Sequence, residues 1–331
     1  MGSAVPERDD DDGCELARVE LDHLLQLALL TTDECLTPGF SLEFGGLRNQ
    51  LTIVRTARYT LACKDYPNSV AADRECAALD AIEASSPARF QIPTLVRREK
   101  RRVFTRTAPS LEPLGDRWFG RPPTLTSIGR LADALAELHS IDPRGAPEIP
   151  PIIFDPAFVS AEVLSESPAV RAVLKQLQES ALTPAMERLR SDLDGQPRAL
   201  CHGDIRGENI LLDRNGRSMT IIDWEGAGVG APWMDLGAGL AMLIELAVLV
   251  ARGVPDPVLL KAFLSRYASR SSTPIDLSAV LRCCGVRLMQ AAVEYAAADI
   301  DVSSESRRLA TVGTLATLRP TEAGIRLGVI A

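Results

Sequence analysis

The segment Leu200–Glu225, LCHGDIRGENILLDRNGRSMTIIDWE, restricts the folding of this chain more than any other stretch. Ile210–Leu212 and Met219–Ile222 are short apolar runs, and Asn215-Gly216 between them is the dipeptide that supplies the positive φ angles of a tight hairpin turn. A hairpin brings its two ends together. Asp204 and Asn209 precede the first strand and Asp223 follows the second, so two carboxylates and an amide are predicted to face one volume. An isolated Asp or Asn is commonly only a turn or cap residue. Three of them around one hairpin instead form a set of hard oxygen donors, and Asn209 and Asp223 suit a Mg2+ ion.

Asp204 and Asn209 are separated by four residues, the D-x-x-x-x-N interval of the protein kinase catalytic loop. With His202-Gly203 in front, the loop reads H-G-D-x-x-x-x-N and resembles the aminoglycoside phosphotransferase and choline kinase family, the antibiotic phosphotransferase branch included. The resemblance implies an α+β, two-lobed protein-kinase-like fold, with a small N-lobe of antiparallel sheet plus helix and a larger, mainly helical C-lobe. It also implies that Asp204 accepts the proton of a substrate hydroxyl, while Asn209 and Asp223 hold Mg2+ on the phosphates of ATP or GTP. His202 reads as a brace for the loop. Asp223-Trp224-Glu225 departs from the kinase D-F-G, and Glu225 is a candidate substrate contact.

A nucleotide-binding lobe should then precede the loop. Phe40–Phe44 reads as a strand, Gly45-Gly46-Leu47-Arg48-Asn49 as a tight turn, and Leu51–Ala57 and Tyr59–Asp65 as two further strands. The turn does not form G-x-G-x-x-G, but Gly46 and Asn49 loosely fit the Gly-Gly-x-x-Asn turn of the resembled family, whose backbone N–H groups can approach phosphates. Lys64, near the end of the third strand, stands where a kinase places the lysine for the α- and β-phosphates. Ala71–Ala84 has helical periodicity, and Glu75 matches the helix glutamate that pairs with that lysine. Val103–Thr107 is another strand, and Ala108-Pro109-Ser110 reads as the link between lobes, with backbone from Thr105 to Ala108 receiving the nucleotide base.

Leu125–Ile141 is an amphipathic helix with Ile128, Leu131, Leu135 and Leu138 on one face. His139 in its last turn is placed to cap carbonyls. Asp235 matches a helix-start aspartate that, in the resembled family, holds the loop after Asp223. Met289–Ala298 is helical, and Glu294, Asp299 and Asp301 follow on it or beyond it. In the resembled antibiotic kinases, acidic residues on such helices grip substrate ammonium groups, so a cationic acceptor fits Glu294 and Asp299. An ordinary acidic surface on an acidic chain is the alternative. Trp224 and Trp233 read as buried packing.

The length of 331 residues exceeds the usual ceiling for one hydrophobic core, so two lobes are expected. The divisions are an N-terminal tail over 1–14, expected to be disordered, a nucleotide-binding lobe over 15–107 and a catalytic lobe over 108–331. The longest apolar run, Leu236–Ala251, is interrupted by Glu245 and falls short of a bilayer span. It reads as a buried helix. Residues 1–13 contain four consecutive aspartates and no apolar stretch, unlike a signal peptide. The seven cysteines show no C-x-x-C spacing, which argues against a disulfide framework or a zinc site and points to the cytoplasm.

The net charge of −8 excludes a nucleic-acid partner as the main reading, since phosphate backbones are held by clustered Lys and Arg. The basic run Arg97–Arg102 reads as a solvated hairpin tip. The expected partners are a nucleotide and a small-molecule hydroxyl substrate, with no membrane, and the assembly is a monomer or homodimer. Within that class the first expectation is an antibiotic-inactivating kinase, and the second a metabolic kinase for an amino alcohol or sugar. A catalytically inactive binding protein of the same fold would not need Lys64, Glu75, Asp204, Asn209 and Asp223 together.

Overall fold

Alternating apolar positions build a five-stranded antiparallel sheet near the N-terminus of the computed structural model, which describes residues 10–45, 49–149, 168–178, 182–249, 253, 255–297 and 303–330. The chain divides into two units, the first made of residues 1–72 and 94–110, the second of 73–93 and 111–331.

In the first unit, helix α1 (Asp10–Gln26) and the single turn α2 (Thr32–Cys35) precede β1 (Ser41–Gly45), β2 (Gln50–Arg55) and β3 (Thr60–Asp65). Helix α3 (Ser69–Ser85) crosses into the second unit, and β4 (Thr94–Glu99) and β5 (Arg102–Thr107) complete the sheet in the order β1-β2-β3-β5-β4. Pairing of Lys64 with Val103 and of Cys63 with Phe104 fixes the register of the central strands. Val54, Leu61, Cys63 and Phe104 therefore share one face, and they are buried against Leu24 of α1 and against Leu29 and Leu30. A capping box starts α2, with Thr31 Oγ1 accepting the Glu34 N–H at 3.3 Å and Glu34 accepting the Thr31 N–H at 3.0 Å. Helix α1 begins at Asp10, inside the 1–14 stretch read from sequence as a tail, and residues 1–9 lie outside those described.

The basic run is more than a hairpin tip. Arg97 and Arg98 lie on β4 and Arg102 opens β5, leaving Lys100 and Arg101 at the turn. Arg97 pairs with Glu99, and Arg102 with the nearly buried Glu20 of α1. Carboxylates within the same unit thus answer part of its charge.

In the second unit, β6 (Glu112–Pro113), α4 (Leu114–Gly120) and α5 (Leu125–Leu138) are followed by α6 (Pro168–Gln178) and α7 (Leu182–Asp194). Then come β7 (Ala199–Cys201), β8 (Ile210–Leu212), β9 (Met219–Ile221) and β10 (Gly228–Gly230), and the helices α8 (Trp233–Leu249), α9 (Pro257–Ala268), α10 (Leu277–Ala297), α11 (Ser303–Leu318) and α12 (Pro320–Arg326). Strand β8 pairs with β6 and β9, and β7 with β10. Helix α8 is apolar nearly all round and correspondingly buried on almost every side. Helix α10 extends well before the Met289 start read from sequence, because its first half packs among other helices and carries few polar residues. Among the described residues no helix is long and apolar enough to cross a membrane.

Candidate active site

Asp235, at the start of α8, is buried and fixes the loop that leaves β7. Its carboxylate accepts the backbone N–H of His202 at 2.7 Å and that of Gly203 at 2.9 Å, and it meets His139 Nε2 at 3.2 Å. Burial opposes the charge, but the His139 ring and the His202 N–H outweigh it and hold the carboxyl below its ordinary range. This corrects two sequence expectations. Asp235 secures the loop before Asp204 rather than the one after Asp223, and His139 completes a buried network with Tyr267, whose hydroxyl lies 2.7 Å from Nδ1. His139, Cys201 and Asp235 also present metal-type donor atoms within 4.8 Å of one another. Those donors are already engaged, and burial pushes the Cys201 thiol well above its ordinary value, so the cluster is a structural brace.

His202 is fully buried, and both ring nitrogens are used. Nε2 donates to the Ile222 carbonyl at 2.8 Å and Nδ1 accepts the Asp204 N–H at 3.1 Å, which fixes the Nε2–H tautomer. The ring stands edge-on to Trp224 with centroids 4.5 Å apart, and the Trp224 indole N–H is bonded to the Ile221 carbonyl at 2.9 Å. Trp224 and Trp233 are both buried, as read from sequence. The loop after His202 also passes very close to α4. A Cβ on Gly207 would fall 2.7 Å from Gly115 Cα, so a larger residue there would push the loop away.

The hairpin forms, but of the Asn215-Gly216 pair only Gly216 takes a positive φ, at 65°. Asn209 is buried, and its amide nitrogen donates to the Asp204 carbonyl at 2.9 Å and to Asp204 Oδ2 at 3.1 Å. Its own carbonyl accepts the Ile222 N–H at 2.9 Å, which sets Asp223 one residue beyond the open end of the hairpin, away from its turn. Asp223 adopts the left-handed conformation, φ 68° and ψ 59°. Such a backbone is uncommon outside glycine and tolerated best by Asn and Asp. Glu225 lies in the 3-10 turn that follows and is half-buried.

Sequence reading missed the arginines. Arg206 Nε lies 3.3 Å from Asp204 Oδ2, and its guanidinium reaches Glu294 Oε2 of α10 at 3.7 Å. Glu294 is also bonded to Arg287 at 3.2 Å and to Gln290 at 3.0 Å, so its charge is answered within this unit. Burial disfavours the charged form of Arg206, but Asp204 and Glu294 more than offset it and hold the guanidinium protonated. Beneath them the Tyr295 hydroxyl donates to Glu245 of α8 at 2.6 Å, and burial raises the Glu245 carboxyl despite Arg287 nearby. The signals were present. Arg287 is a lone charge in the otherwise apolar stretch from Val286 to Met289, and Glu245 interrupts the longest apolar run.

In the first unit, Lys64 and Thr105 share the sheet face opposite the α1 contact, since Ala62 pairs with Thr105 and Lys64 with Val103. Thr105 is buried, and Ala108 is exposed just past the end of β5. Asn49 sits in the bend before β2, while Gly46 and Asp299 lie outside the described residues. Glu75 of α3 is buried in the second unit.

The architecture is that of a protein-kinase-like fold. A choline/ethanolamine kinase family protein from Mesorhizobium loti superposes with a TM-score of 0.55 at 20% identity, covering 89% of this chain and 96% of that one. A macrolide 2′-phosphotransferase from Brachybacterium faecium matches with a TM-score of 0.51 at 15% identity over 90% and 99%. Spectinomycin phosphotransferase in complex with ADP and spectinomycin matches with a TM-score of 0.52 at 14% identity over 86% and 92%.

The chain belongs to the phosphotransferase enzyme family, whose sequence profile matches residues 44–271. An uncharacterized Bacillus subtilis (strain 168) protein, YcbJ, is 30% identical over 120 residues, 35% of this chain and 38% of that protein. The chain thus spans just over a third of the length of the curated relative it matches.

Proposed function

We propose that this chain transfers the γ-phosphoryl group of ATP or GTP to a hydroxyl of a small molecule. The observation that carries the reading is the Asp204–Asn209 pair. The Asn209 amide nitrogen is occupied by Asp204, so its oxygen is left as a donor, and Asp204 Oδ2 is tethered, so Oδ1 can face an incoming hydroxyl.

In this reading Asp204 accepts the acceptor O–H proton as that oxygen attacks the γ-phosphorus. A new O–P bond forms, the bond to the β,γ-bridging oxygen breaks, and the electron pair leaves with ADP or GDP. The donor set fits Mg2+, which Asn209 and Asp223 would hold and which neutralises phosphate charge when bound. For the nucleotide, Lys64 is assigned to the α- and β-phosphates, Glu75, Gly46 and Asn49 stay assigned to nucleotide binding, and backbone from Thr105 to Ala108 is assigned to the base. The work is positioning and charge stabilisation.

The first acceptor to test is an antibiotic hydroxyl, a choice supported by the fold shared with the spectinomycin and macrolide phosphotransferases. An amino alcohol is second, supported in the same way by the choline/ethanolamine kinase relative. Glu225 and Asp299 stay assigned to the acceptor side. Glu294 is assigned there only as part of its arginine pairs, since an ammonium group would have to compete with them.

Turnover of ATP and GTP against a panel of both acceptor classes, with product masses, tests the proposal. Asp204→Ala should abolish transfer and leave nucleotide binding largely intact, and retained turnover would remove Asp204 from its role.

A further inference from the structure

Arg206 is charged and placed beside the proposed base, yet its hydrogen-bonding capacity is not filled. Its Nε–H is buried, and among the described residues no acceptor is aligned with it, although Asp204 Oδ2 is only 3.3 Å away. Its tie to Glu294 is long at 3.7 Å, because Arg287 and Gln290 take the nearer positions on that carboxylate. About 33% of its side chain remains exposed. A protonated guanidinium left this way is matched by a ligand with several anionic oxygens in one plane of approach, as a phosphoryl group has.

We propose that Arg206 binds oxygens of the phosphoryl group being transferred, releasing its weak hold on Glu294 as it does so. The inference rests on the phosphotransferase reading above. Arg206 stays protonated throughout and moves no proton; it neutralises charge on the γ-phosphoryl oxygens beside Asp204. Glu294, fixed by Arg287 and Gln290, then acts as the parking place for Arg206 when no phosphoryl group is present.

The contact distinguishes a triphosphate from a diphosphate, so it can be read without knowing the acceptor. Full-length protein is titrated calorimetrically with Mg·ADP and with the Mg complex of the non-hydrolysable β,γ-imido analogue of ATP, or their guanosine counterparts if the wild type binds those. Arg206→Met should keep diphosphate affinity within about twofold and weaken the imido analogue by about tenfold or more. Arg206→Lys keeps the charge without the planar fork and should lose less, about threefold. If Arg206→Met does not fold, Arg206→Lys supplies the same comparison. An unchanged ratio of the two affinities in the variants would overturn the proposal and leave Arg206 as a tie between loop and helix. A wild-type protein that binds neither nucleotide would strike the phosphotransferase reading itself.

Discussion

The Asp235 carboxylate accepts the His202 backbone N–H at 2.7 Å, so a residue in the first turn of α8 sets where the loop bearing Asp204 begins. Asp235→Ala would leave the N–H groups of His202 and Gly203 and the His139 ring without their partner. Denaturant unfolding should show a loss of about 3–5 kcal/mol. The pH dependence has a definite sign. The folded carboxyl ionises below its ordinary value, so the unfolded chain binds the extra proton. The stabilisation is complete above the unfolded value, about 3.9, and disappears as pH falls through the folded one. Wild type should therefore lose more stability than Asp235→Ala as pH falls below about 4, and parallel pH profiles for the two would contradict this.

Asn209→Ala removes both the tether on Asp204 and the amide oxygen proposed for the cation. The Mg2+ concentration needed for nucleotide-induced thermal stabilisation should rise about 10- to 100-fold, while nucleotide binding without metal changes little. An unaltered Mg2+ requirement would take Asn209 out of the metal site.

The site was legible where its geometry is local. Asp204, Asn209 and Asp223 are joined by one hairpin whose turn is written in Asn215-Gly216, and the bonds from Asn209 to Asp204 and Ile222 all lie within that segment. Strands β1, β2, β3 and β5 of the first unit were legible for the same reason, as local extended runs, whereas β4 was not, since Arg97, Arg98 and Glu99 near its end read as part of a charged turn. Arg206, Glu245, Arg287 and Tyr295 were not legible as a group. Their contact comes from packing α8 against α10 and from the loop closing on both, and no short motif encodes a meeting of residues as far apart as Glu245 and Tyr295. Asp235 was found but aimed at the wrong loop, because a matching position in a motif does not state which backbone groups a carboxylate will reach.

Thiol reactivity should follow burial. Cys63 is buried in the core of the first unit, and burial pushes its thiol up to about 12. The thiols of Cys201, Cys283 and Cys284 are raised further by the same cause. Cys35 is half-buried and less shifted, with its thiol donating to the Thr31 carbonyl. With iodoacetamide at pH 8, peptide mapping should find Cys35 modified first among these five, and the other four only after unfolding. Early labelling of Cys201 in native protein would mean that the loop behind Asp204 opens readily.

Gly237 sets the spacing of α8 and α10. A Cβ built there would lie 2.6 Å from Cys283 Cβ and 2.7 Å from the Cys284 backbone nitrogen, and neither atom is the loose end of a side chain. Gly237→Ala must then push two packed helices apart, and overpacking of this kind costs about 1–3 kcal/mol. Gly120, at the end of α4, is the control, since a Cβ there meets nothing within 4 Å. Gly120→Ala should be neutral or stabilising by up to about 1 kcal/mol, because it restricts the unfolded chain without a clash. The two substitutions also separate stability from the site. Glu245 and Tyr295 are bonded across the α8–α10 contact at 2.6 Å, and Arg287 and Glu294 stand on the same α10. Gly237→Ala should therefore alter the selectivity of the protein for triphosphate over diphosphate as well as its melting temperature, whereas Gly120→Ala should change neither beyond its small effect on stability. Equal melting temperatures for the two variants would show that α8 and α10 can shift without strain.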